Sequence, residues 1–160
     1  MASPPGGIPR YSRQPLPGER HLPGRTPRPR EAAGSGGVGR DRKEKEEWAE
    51  SEAFLRGTDL WNHAFFWEAH EAWEEIWRAV GRRTRAGCFL QGLILLAAAA
   101  VKREIGAAGP ASRLAARGAR RLREAGVVRA PFDAPGFAEA VEAWVRGTRA
   151  DPPPLRLERS

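Results

Sequence analysis

The stretch CFLQGLILLAAAAV, residues 88–101, constrains the fold more than any other part of the chain. It is apolar almost all round, so every side of it must be covered. Its fourteen residues, interrupted by Gln91, fall short of the about 20 apolar residues that a membrane span needs. The reading is a central helix over about residues 85–105, enclosed by other helices, with no membrane span.

The neighbouring segments supply those helices. Trp48, Phe54 and Leu55 recur at helical spacing and predict a first helix that ends at Gly57. A second is predicted over about residues 59–80, capped by Thr58 or Asp59 and ended by Gly81. Pro110 opens a fourth, with Ala111, Leu114, Ala115, Ala119 and Leu122 on one face and arginines elsewhere. A fifth buries Phe137, Val141, Trp144 and Val145. No alternating strand pattern bounded by hairpin turns is present in residues 46–150, and no glycine-rich loop has a phosphate-binding context. The expected fold is all-α, a compact bundle of about five helices over residues 46–148.

Charge separates the ends from this domain. The net charge is +7, but residues 1–45 hold ten Arg or Lys against four Asp or Glu, leaving residues 46–160 nearly neutral at 17 against 16. Residues 1–45 are rich in Pro, Gly and Arg and poor in large apolar side chains, so they read as a disordered basic tail. Such a tail binds nucleic acid only weakly, since Tyr11 is its one stacking ring. Residues 149–160, with DPPPL at 151–155, read as a proline-rich strap across the bundle. Cys88 is the only cysteine, which excludes an internal disulfide and a cysteine-rich zinc motif. With no apolar export signal near Met1, the expected location is the cytoplasm.

Functional candidates emerge from a helical wheel of the second helix. At 100 degrees per residue, Phe65, Phe66, Ala69, Ala72, Trp73, Ile76 and Val80 share a core face, with Glu68, Glu71 and Glu75 opposite in solvent. His70, Glu74 and Trp77 belong to neither group and run along the border. An imidazole and a carboxylate so placed can share a divalent metal ion, or the carboxylate can orient the imidazole for proton transfer. His63 joins the stripe if the helix reaches back that far, and Glu71 and Cys88 are further candidates. The segment HEAWE lacks the second histidine of the H-E-x-x-H zinc pattern, and two ligands do not complete a metal site. The structural alternative is that Glu74 bonds His70, or pairs with Lys102 or Arg103, only to satisfy polar groups at the core edge. Trp61, Trp67, Trp73, Trp77 and Trp144 are expected to be core packing, with Trp67 and Trp77 at its edge lining the adjoining groove beside Gln91.

The stretches FFWEAHEAWEEIWR, QGLILLAAAAVKRE and GPASRLAARGARRL, in that order, resemble the bacterial and archaeal domain of unknown function 309 family over about residues 50–125. That family is identified by a His, three residues, a Glu, two residues and a Trp or Tyr, here His70, Glu74 and Trp77, followed by a helix like QGLILLAAA. The resemblance implies a small all-α bundle and a motif suspected of metal binding, with Glu71 carried over at lower weight, and supplies no reaction. GAAGPAS stands here in place of the family's usual Gly-Asn turn. Two functions follow: a metal or small-ligand groove at His70 and Glu74, or a non-enzymatic helical module that binds a protein or acidic partner, through that groove or through the arginines of the fourth helix.

Overall fold

The computed structural model describes residues 7–24, 48–125 and 130–158. After a 3-10 turn at Trp48–Glu50 come five helices: α1 Glu52–Asn62, α2 Phe66–Val80, α3 Arg85–Glu104, α4 Ala108–Glu124 and α5 Ala134–Val145. No strand occurs among the described residues. Side-chain caps explain three of the starts. Ser51 accepts the Phe54 N–H at 3.2 Å, Thr84 the Gly87 N–H at 2.9 Å and Asp133 the Gly136 N–H at 3.1 Å. Gly81, with φ of 87°, ends α2 as expected, in a conformation that a side chain would disfavour.

Helix α3 lies at the centre, packed against α2 and α4, with lesser contact to α5; α1 packs on α2, and α5 on α4. By length and composition alone α3 could cross a membrane, but Phe89, Leu90, Leu93, Leu96, Ala97, Ala99 and Ala100 are covered by the bundle. Four aromatic rings surround Trp61 in the core. Phe66, Phe137, Trp73 and Trp144 bring their ring centroids to 4.8, 5.3, 6.3 and 6.4 Å from it. Trp61, Trp73 and Trp144 are buried, as core packing predicts.

The first helix boundary differs from expectation. Gly57 does not end a helix but lies inside α1, where a methyl group would collide with the Trp73 indole. Glycine is there for the close approach of two helices, not for a turn. Asp59 and Thr58 also lie within α1: Thr58 Oγ1 donates back to the Phe54 carbonyl at 3.0 Å, and the Asp59 carboxylate is turned to another segment. The chain instead breaks at residues 63–65, with Ala64 in the left-handed region at φ of 65°. That conformation costs an alanine roughly 1–2 kcal/mol and is held by hydrogen bonds from the Ala64 and Phe65 N–H groups to the Trp61 and Leu60 carbonyls.

Part of the N-terminal segment is described as well. Residues 7–24, expected within a disordered tail, lie on α1 and α2 with Ile8, Ser12 and His21 buried. Composition indicated too little apolar surface to order them; carboxylates on the bundle supply the attachment instead. Asp59 accepts Arg10 Nε at 3.0 Å, the Tyr11 N–H at 2.9 Å and the Ser12 N–H at 2.8 Å. The other residues of that expected tail, 1–6 and 25–45, lie outside the described residues. At the far end, Leu155 is buried in the core beneath α1, where Asn62 and Trp61 hold the chain.

Candidate metal site on the second helix

Helix α2 presents its apolar face, Phe66, Ala69, Trp73, Ile76 and Val80, to the core. His70 and Glu74 therefore fall one turn apart at the edge of that face, each with about a quarter of its side chain exposed (26% and 24%). His70 Nδ1 is itself buried and has no hydrogen-bond partner. The nearest charged atoms are Glu71 Oε1 at 3.4 Å and Glu74 Oε2 at 3.8 Å. One ligand atom from each of His70, Glu71 and Glu74 lies within 4.8 Å of the others.

Arg78, one turn further on, donates to Glu74 Oε1 at 2.9 Å. The carboxylate is thus held from one side, with its second oxygen towards His70. Glu74 has this partner rather than Lys102, and Arg103 is engaged elsewhere, with its guanidinium 4.5 Å from the Trp144 ring centroid and 3.5 Å from Glu104. Trp77 shares the border. Its Nε1 is a second buried polar atom without a partner, and the Arg82 guanidinium stands 5.4 Å from its ring centroid.

The other sequence candidates are dispersed. His63 falls in the turn after α1, outside the register of α2, because the helix breaks between them. Burial lowers its pKa from the ordinary 6.5, Arg10 lowers it further, and Asp59 opposes both. Trp67 meets the N-terminal segment: the His21 ring stands on it edge to face at 4.5 Å. Gln91 lies half-buried on α3, and among the described residues no hydrogen bond ties it to the His70 cluster. Cys88 is half-buried, with its Sγ 3.5 Å from the Arg121 carbonyl oxygen of α4. Glu68 leaves its expected place in solvent, since Oε1 accepts the His21 N–H at 2.7 Å. Arg78 was missed although its signal is local, Glu and Arg four apart on one helix; the role of Glu68 has no local signal, because its partner lies 47 residues away.

The donor set suits a divalent ion of the zinc, manganese or iron kind: one imidazole nitrogen and two carboxylate oxygens. Ligands at about 2.0–2.2 Å from such an ion stand roughly 3–3.5 Å from one another. His70 is already near that spacing from both carboxylates. All three donors come from one helix, which leaves coordination positions for water or a ligand.

No curated protein and no solved structure matches the chain. The family model described as "Domain of unknown function (DUF309)" matches residues 54–114, a span that includes α2, α3 and the His70, Glu71 and Glu74 cluster. Over these residues the chain is similar to the DUF309 family.

Proposed function

We propose that this protein is a cytoplasmic helical module that binds a divalent metal ion, and through it a small ligand, at His70, Glu71 and Glu74. The observation that carries the reading is the buried, unpartnered His70 Nδ1 with two carboxylate oxygens at 3.4 and 3.8 Å. A buried polar atom left unpaired costs roughly 1–3 kcal/mol, and an ion between the three groups removes that cost. His70 and Glu74 would hold the ion, Arg78 fixes the Glu74 carboxylate, and the more exposed Glu71, at 45%, closes from the solvent side. A bound ion of this class supplies Lewis acidity and a more acidic bound water. The enclosed α3 and the single free thiol of Cys88 support the location.

A second reading has its own support. Arg113, Arg117 and Arg123 stand exposed on α4, while Arg120 and Arg121 pair with Glu124 at 3.6 and 3.3 Å. That surface suits an acidic partner.

Thermal unfolding of the metal-stripped chain with added Zn, Mn, Fe or Ni ions separates the readings. An ion at 100 times its Kd adds about 2.7 kcal/mol, which raises the melting temperature by several degrees. The gain is expected in the parent and lost in the His70→Ala, Glu74→Ala double variant. Equal melting with and without every ion, together with polyanion binding that Arg113→Glu and Arg117→Glu abolish, would instead select the interaction module.

A further inference from the structure

Residues 7–24 contain no helix or strand, and Pro9, Pro15, Pro17 and Pro23 favour an extended backbone with few internal hydrogen bonds. The bundle reads that backbone with acidic side chains. Besides its three bonds to Asp59, the segment gives Glu52 Oε1 the Ser12 hydroxyl and the Arg13 N–H, both at 3.0 Å, and gives Glu68 the His21 N–H. Arg56 donates in return to the Pro15 carbonyl at 2.9 Å. Charge is complementary: Arg10, Arg13 and Arg20 outnumber Glu19 in the segment, and Glu52, Asp59 and Glu68 outnumber Arg56 beneath it. We propose that α1 and the start of α2 form a binding site for an extended basic segment, and that residues 7–24 are its tethered, releasable occupant.

Release follows from where the apolar groups lie. The continuous core is built without Ile8, and from the segment only Leu16 packs against it, partly buried. The three hydrogen-bond donors to Asp59 all belong to the segment. Its departure therefore gives the carboxylate to water rather than stranding it among apolar side chains. Departure also uncovers Trp67, now under His21, and Phe65, whose ring centroid is 5.8 Å from the Arg20 guanidinium. The bound segment is thus both a ligand for the acidic face and a cover for two aromatic rings. This site is separate from the His70 cluster, and neither depends on the other.

The test uses the full chain with its own segment disabled by Ile8→Asp and Arg10→Glu, and helical circular dichroism to establish that this variant is folded. A fluorescent peptide of residues 7–24 is expected to bind it, with anisotropy reading the affinity. Binding should be at least tenfold weaker to the unaltered chain, whose site is filled, and at least tenfold weaker again to the variant once Asp59→Asn is added. Equal uptake by the unaltered chain would mean that the site is filled in trans, by another copy or another partner, and would overturn the proposal. So would indifference to Asp59, or no binding to the folded variant. Hydrogen exchange of the unaltered chain gives an answer that needs no variant. The Tyr11, Ser12 and His21 amides should exchange more slowly than in the free peptide but well before the amides of α3, whereas exchange in step with α3 would make the segment an inseparable part of the fold.

Discussion

Residues 7–24 and 153–155 are both fastened to α1, and their anchors are of opposite chemistry. Near the C-terminus, Leu155 is sunk in the continuous core at 1% exposure, and neutral groups fix the backbone around it. Asn62 donates to the Leu155 carbonyl at 3.0 Å and accepts the Leu155 N–H at 2.8 Å, while Trp61 Nε1 donates to the Pro153 carbonyl at 2.8 Å. Near the N-terminus the anchors are carboxylates, and the buried Ile8 lies outside that core. Apolar burial ties a segment to the cooperative unit, because removing it opens a cavity in the core. Carboxylate-to-backbone bonds tie a segment only to itself and its site, because each partner can return to water.

The largest effect should come from breaking the C-terminal anchor. Leu155→Ala is expected to cost about 2–5 kcal/mol of global stability in urea unfolding, with one cooperative transition for every probe. A loss under about 1 kcal/mol would place both segments in the same peripheral class and erase the distinction.

At the other anchor the cost should saturate. Asp59→Asn removes a charged acceptor from three donors and is expected to cost about 1–3 kcal/mol. Once the segment has left the bundle, nothing further can be lost there. Arg10→Ala added to Asp59→Asn should then cost far less than the sum of the single changes, and a double-mutant cycle reads the difference. Full additivity would show that each contact acts independently on the bundle.

The same contrast explains what was legible in the sequence. Helix number, the central place of α3 and the border position of His70, Glu74 and Trp77 follow from periodicity, which reports burial along one element, and the end of α2 from the glycine at 81. Near Leu155 the prolines indicate an extended chain, but they carry no signal for the burial of Leu155 itself. Residues 7–24 were not legible, because the polar contacts that order them join positions 39–49 residues apart, and no local pattern carries that information. Gly57 and Asp59 misled for a related reason. Each is a common residue at helix ends, and each is used here inside α1 for a tertiary contact, one with Trp73 and one with Arg10 to Ser12. At the candidate site, the wheel brought His70 and Glu74 to the same edge, but His63 needed a helix that continued through residues 63–65, and the left-handed Ala64 stops it.

The smallest expected effect concerns His63, which stands where the N-terminal segment meets the turn between α1 and α2. Its pKa is lowered chiefly by burial and next by Arg10, with Asp59 acting the other way. In the unfolded chain the imidazole takes up a proton near its ordinary 6.5, while the folded chain resists until the pH is lower. The unfolded state therefore binds more protons across that window. Stability is fully present above the window and is lost as the pH falls through it. Melting between pH 7.5 and 5, above the range in which ordinary carboxylates titrate, should show this decline in the parent and a flatter profile in His63→Gln. Arg10→Ala removes one of the two causes that lower the pKa, so its profile should fall between them. If Arg10→Ala instead leaves the parent's slope unchanged, the guanidinium does not act on His63, and the acid sensitivity belongs to the helical turn rather than to the segment bound across it.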